Sequence, residues 1–221
     1  MLFDWLITGQ VLPTNPAAAV RGPKHVVKSG KTPVLEGAEW RKLLDSIPAT
    51  TLRDLRDRAL IATLTYSFAR NNAALKMKVE DLRPRGAGWT IRLHEKGGKQ
   101  HSMPCHHALA EVLRAYIDAA GIVEDRKGFL FRTSRGHNGS ALSDQAMDQS
   151  AAWRMIRRRA AAAGIHAPIG NHTFRATGIT AYLSNGGALE PGEQESGVAR
   201  FVKIGFVPPA AEIADPRQMH A

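Results

Sequence analysis

His172-Thr173-Phe174-Arg175-Ala176-Thr177 is the stretch on which the fold turns. Pro168, Gly170 and Asn171 precede it and mark the start of a helix expected to run to about Leu183. His172 and Arg175 are three apart, so both project from one face of its first turn. The unpaired N–H groups and the dipole at a helix N-terminus favour an anion there. His-x-x-Arg is common by chance, so its meaning depends on what stands upstream.

Two upstream features share its chemistry. Arg70 follows directly on an apolar helix, in Tyr66-Ser67-Phe68-Ala69-Arg70. Lys96-Gly97-Gly98-Lys99 is a turn between two extended runs. Before it, Trp89, Ile91 and Leu93 alternate with Thr90, Arg92 and His94; after it the chain returns through Gln100–Met103. Gly-Gly between such runs predicts a β-hairpin. Two arginines, a lysine and a histidine suit a phosphodiester. Arginine forks neutralise the non-bridging oxygens of a five-coordinate transition state. A lysine on a turn can protonate a departing hydroxyl, and a histidine can move a proton or donate a hydrogen bond. Each residue alone also has a plainer reading. Arg70 suits a helix C-terminus, Lys96 and Lys99 suit a solvated turn, and His172 suits a cap.

The remaining pattern is mostly helical. Helices are expected at about Glu36–Ile47 and Thr51–Phe68, the second nearly all apolar over Ala59–Phe68 and so central to the core. Asn72 is expected to cap a helix through Leu82. Another helix spans His106–Ala120 and ends at Gly121. Leu130 and Phe131 suggest a short extended piece, Thr133–Ser140 a polar loop, and Ser143 the start of a helix. Ala151–Ala163 is a further helix, ended by Gly164. The fold class is α+β, mostly α, with a small antiparallel β-sheet.

Charge points to the partner. The 221 residues carry 30 Lys+Arg against 20 Asp+Glu, a net charge of +10. Such a surface attracts a polyanion, most often nucleic acid. The last 31 residues hold four acids and three bases, so the positive excess lies within the first 190. Arg154, Arg157 and Arg158 share one side of their helix and are candidate DNA-backbone contacts, as is Lys99. Aromatic residues make up only 6%, which leaves no stacking platform for single-stranded RNA.

Other classes are disfavoured. One cysteine, Cys105, excludes an internal disulfide framework. No apolar run approaches the roughly 18 residues that span a bilayer, and Asp4 interrupts the apolar start. A cytoplasmic protein without membrane contact is expected. His101, Cys105, His106 and His107 lack a recognised ligand spacing, so no metal is expected. Without a Walker loop or Rossmann fingerprint, no nucleotide cofactor is expected either.

Together these segments resemble the tyrosine recombinases, or phage integrase family. The resemblance runs from about Leu2 to Glu190. It rests on Asn15-Pro16, Leu55-Arg56-Asp57-Arg58-Ala59-Leu60, Arg70, His94-Glu95-Lys96-Gly97-Gly98-Lys99 and Leu130-Phe131. It is completed by the His172–Thr177 stretch and Leu183-Ser184-Asn185-Gly186-Gly187. It implies a mostly α catalytic domain with a small β-sheet that grips double-stranded DNA. The implied activity is site-specific recombination or integration, as in mobile genetic elements. Arg70 and Arg175 are assigned to phosphate binding, Lys96 to general acid, and His172 to general acid/base.

The departures are equally specific. The family continues with a Gly-His pair and then a tyrosine nucleophile, and neither follows Glu190 here. The three tyrosines, Tyr66, Tyr116 and Tyr182, do not match the nucleophile position. Ala73 stands where the family has a small acidic residue, three places after the first arginine. Residues 1–9 are read as a remnant of an N-terminal core-binding domain, 10–35 as a basic linker, 36–190 as the catalytic domain and 191–221 as a divergent tail. The expectation is a chain truncated at both ends, with no nucleophile of its own. Its partners would be duplex DNA and either further copies or an intact recombinase.

Overall fold

The computed structural model describes residues 2–20, 32–86, 88–95, 97–136 and 139–186. The chain divides into two units, residues 1–31 and 32–221. In the first, helix α1 (Leu2–Thr8) closes where Gly9 N–H donates to the Trp5 carbonyl at 2.9 Å. Asn15 donates to Asp4 at 3.0 Å. The tail expected at 191–221 lies outside the described residues, as do residues 21–31 of the basic linker.

The second unit is organised around α3 (Leu52–Tyr66). Thr51 caps it reciprocally: Asp54 N–H donates to Thr51 Oγ1 at 3.1 Å, and Thr51 N–H to Asp54 Oδ2 at 3.2 Å. Every residue from Ala59 to Thr65 is buried, as an all-round apolar run requires. α2 (Gly37–Asp45) and α5 (His107–Ala120) carry the amphipathic patterns expected of them. His106 caps α5, its Nδ1 accepting from Ala108 N–H at 3.2 Å, and Gly121 ends it at φ 62°.

The expected helix from Asn72 to Leu82 is corrected. α4 spans only Asn71–Leu75, with Arg70 rather than Asn72 at its cap position. Val79–Asp81 is a single 3-10 turn, and Leu82–Arg85 is strand β1. Tertiary pairing overrides the helical pattern here. Leu130 N–H donates to the Met77 carbonyl at 2.8 Å, and Val79 N–H to Gly128 at 3.1 Å. Pro84 also disfavours a helical Arg83.

β1 turns the predicted hairpin into a three-stranded antiparallel sheet, β1-β2-β3, with β2 at Gly88–His94 and β3 at Gln100–Pro104. Ile91 pairs with Leu82 and Met103, and His94 with Gln100. Ile91, Leu93 and Met103 face the core. Gly97 and Gly98 adopt φ of 82° and 77°, which the turn needs and a side chain resists.

A second correction concerns residues 133–146. The expected polar loop and the helix opened by Ser143 are instead a β-hairpin, β4 (Arg132–Arg135) and β5 (Ala141–Ala146). Ser143 accepts from Gln145 N–H at 3.2 Å, a local turn rather than a helix cap. The cap is Asp148, which accepts from Ala151 N–H at 2.7 Å and opens α6 (Gln149–Ala162). The last element, α7 (Asn171–Ser184), starts and ends close to expectation.

α7 lies against α3 at very short range. A Cβ added to Gly178 would sit 2.3 Å from the Thr65 carbonyl oxygen and 2.6 Å from the Phe68 ring. Phe174, on the same helix, is fully buried, and such a ring contributes about 1.5–3 kcal/mol. These two residues seat α7 and so fix where its polar face emerges.

Candidate functional site

Arg70 is delivered by a backbone reversal. α3 ends with Ser67 N–H donating to the Thr63 carbonyl at 3.0 Å. Phe68 then adopts φ 50°, a left-handed conformation that costs a non-glycine residue about 1–2 kcal/mol. Burial of its ring against Tyr182, with centroids 6.2 Å apart, holds it there. The chain leaves extended, and Arg70 emerges with its side chain 46% exposed. Reversed in this way, the Phe68 carbonyl accepts a hydrogen bond from Arg175 Nη1.

Arg175 is half-buried on α7. Burial pulls its guanidinium below the ordinary arginine value, the Arg70 charge adds to this, and Glu95 opposes it. The two arginines therefore lie in each other's field although 105 positions separate them in sequence. Between them acts Glu95, directly after β2. Its carboxylate forms an ion pair with Arg70 Nη1 and is only 1% exposed. Its N–H closes the hairpin on the Lys99 carbonyl at 2.7 Å.

The other predicted residues are placed as follows. His172 is exposed in the first turn of α7, where Gly170 N–H donates to Thr173 Oγ1 at 3.1 Å. Lys96 lies outside the described residues, while its neighbours Glu95 and Gly97 form the base and bend of the hairpin. Lys99 is exposed on the return limb. On α6, Arg154 and Arg157 are exposed. Arg158 is half-exposed and donates to Asp57 at 3.3 Å. Arg159 is only partly exposed and is bonded to both Asp54, at 2.5 Å, and Asp57, at 2.8 Å. Arg56 also pairs with Asp57, at 2.7 Å. That network ties α3 to α6, so the basic run has an inner structural half and an outer free half.

Cys105, His106 and His107 have structural roles. Burial pushes the Cys105 thiol up to about 12. The His106 ring stacks on Tyr66 at 4.9 Å while capping α5. Among the described residues no three His, Cys, Asp or Glu side chains gather as a metal site, and no helix is long and apolar enough to cross a membrane.

Glu95, Phe68 and Gly178 were not singled out from the sequence. Glu95 carried a signal, as the single acid in a basic hairpin turn. Phe68 and Gly178 carried none, because a left-handed phenylalanine and a close helix approach exist only in the packed structure.

Comparison with known proteins bears on the family and the fold. The sequence profile of the phage integrase family matches residues 33–190. Tyrosine recombinase XerD of Listeria innocua is 28% identical over 191 residues, covering 85% of this chain and 60% of that protein. XerD of Mycobacterium tuberculosis is 30% identical over 175 residues, covering 78% and 52%. The chain thus spans somewhat more than half the length of these curated relatives. Among solved structures, XerH recombinase bound to its difH substrate before cleavage superposes with a TM-score of 0.56 at 21% identity, over 84% of this chain and 52% of that one. A lambda integrase dimer bound to a core site superposes at 0.57 and 16% identity, over 83% and 63%. At these identities the superpositions speak for the fold. The profile match across most of the chain decides the family: this chain belongs to the phage integrase family, with the mostly helical catalytic fold of the tyrosine recombinases.

Proposed function

We propose that this chain binds duplex DNA in the cytoplasm and seats a backbone phosphate between Arg70 and Arg175, as the catalytic domain of a site-specific recombinase. The observation that carries the reading is the ion pair of Arg70 with the buried Glu95, whose charge also acts on Arg175 although the two arginines lie far apart in sequence. Two guanidinium forks suit the non-bridging oxygens of a phosphodiester. In this reading Lys96 protonates the departing 5′ oxygen as the P–O bond to it breaks. His172, exposed beside Arg175, exchanges a proton with the attacking group. Lys99, Arg154 and Arg157 contact the flanking backbone, and Arg158 does so with its exposed part. The DNA complexes of XerH and lambda integrase support a duplex partner, and lambda integrase also forms a tetramer on a Holliday junction, which supports self-association.

We further propose that these 221 residues do not form a phosphotyrosyl link unaided. Tyr116 is buried, its hydroxyl donates to the Leu130 carbonyl at 2.8 Å, and burial pushes its pKa up to about 12. Tyr182 is 3% exposed against Phe68. Tyr66 is stacked on His106 and raised by burial. Each hydroxyl belongs to the packing rather than to an open phosphate site. A nucleophile would then come from an intact recombinase, with this chain as its DNA-bound accessory.

The test uses a library of nicked duplexes of randomised sequence. The expected result is a salt-sensitive mobility shift that weakens in Arg70→Ala and Arg175→Ala, with no denaturant-stable adduct. Absence of DNA binding overturns the reading. A covalent adduct overturns its second half, and replacing Tyr182 and Tyr66 in turn by Phe then locates the nucleophile. Mixing the chain with an intact recombinase, against its Arg175→Ala form, tests the accessory role through strand cleavage.

A further inference from the structure

We propose that Glu95 is the positioning residue for Arg70, holding that guanidinium ready for phosphate in place of the acid absent at Ala73. The proposal rests on the reading that Arg70 and Arg175 seat a phosphate. An ionised carboxylate 1% exposed needs a charged partner, and Arg70 is that partner. The asymmetry of burial gives the direction. Glu95 lies beneath, while nearly half of the Arg70 side chain still faces solvent. A carboxylate occupying the phosphate seat would itself be open to solvent, because DNA must reach that seat from outside. Glu95 instead grips one nitrogen from below and leaves the rest of the fork presented. Its charge also acts on Arg175, opposing the effect of the Arg70 charge there. Its N–H bond to the Lys99 carbonyl ties the same residue into the return limb of the hairpin, so Arg70 and the Lys99 backbone share one anchor.

The sign of one measurement separates positioning from competition. Inorganic phosphate is titrated into the whole chain and followed by the arginine side-chain N–H signals. Glu95→Gln keeps the shape and makes the site one charge more positive. Positioning predicts that phosphate binds about tenfold more weakly all the same, as loss of one charge-assisted contact implies. Equal or tighter binding overturns the proposal. If Glu95→Gln does not fold, the unaltered chain decides. Arg70, assigned through Arg70→Lys, is expected to show separate, slowly exchanging Nη signals, and rotationally averaged signals overturn the proposal. If the unaltered chain and Arg175→Ala take phosphate equally poorly, the phosphate reading fails, and the Arg70 signals still decide whether Glu95 holds it.

Discussion

The carbonyl of Phe68 accepts a hydrogen bond from the guanidinium of Arg175, 107 residues further along the chain. This one contact joins the end of α3 to the middle of α7. It exists because Phe68 is left-handed and because Gly178 lets the two helices approach. Arg175 spends one nitrogen on the scaffold, so its planar fork is oriented before any anion arrives. A lysine has no fork to divide between scaffold and ligand. Arg175→Lys is therefore expected to lower phosphate affinity about as much as Arg175→Ala, by tenfold or more. Phosphate titration of the two variants checks this, and a lysine variant near the original affinity would refute it.

Gly178→Ala tests the approach of α3 and α7. The added methyl meets backbone oxygen, which cannot swing aside, and overpacking of this kind costs about 1–3 kcal/mol. Gly37→Ala, with nothing within 4 Å of its new Cβ, is the control and should change stability by no more than about 0.5 kcal/mol. Urea unfolding of both variants reads the difference.

The α6 arginines should separate into two classes. Arg154→Ala and Arg157→Ala are expected to leave the urea midpoint unchanged and to reduce the salt slope of DNA binding by about one each. Asp57→Asn acts on the inner network instead. It leaves Arg56, Arg158 and Arg159 without their shared carboxylate, at a cost of about 3–5 kcal/mol. A uniform response across all three variants would contradict this division.

Acid should destabilise the domain through two carboxylates. Burial raises Asp54, but its bonds from Thr51 and Arg159 outweigh this and hold it low. Burial likewise raises Asp81, and the Lys78 N–H, His94 and Arg92 more than reverse it. A carboxylate whose folded value is depressed contributes stability above its unfolded value, and that contribution disappears as pH falls through the folded value. Stability is thus expected to hold above the ordinary aspartate value of 3.8 and to decline below it. Asp81→Asn should flatten part of that decline, and urea midpoints measured from pH 6 down to the acid limit provide the check.

Much of the domain is legible in the chain because its signals are local. The nearly all-apolar run Ala59–Thr65 announces a central helix, and period-two alternation over Trp89–His94 announces a strand. Gly97-Gly98 gives the turn. The failures also share a cause. Met77–Val79 follows a helical pattern but pairs with Gly128–Leu130, and Arg132–Arg135 pairs with Ala141–Ala146 across a short loop. In both places strand pairing decides the conformation: for Met77–Val79 the partner lies about fifty residues away, and for Arg132–Arg135 it is near, but neither strand shows a period-two alternation that announces it.

The site divides the same way. The sequence by itself supplied the residues of the proposed site: a basic chain, with Arg70, the Lys96 turn and His172-x-x-Arg175 in an order that resembles the phage integrase family. Residue types and spacings are properties of the chain, and the charge they carry does not depend on folding. Only the tertiary structure decided how the arginines are held. Arg70 is gripped by the buried Glu95, and Arg175 is anchored on the Phe68 carbonyl. Which of the α6 arginines remain outward was also decided there. Burial and proximity set the strength of a charge pair, and both come into being only when distant segments pack together.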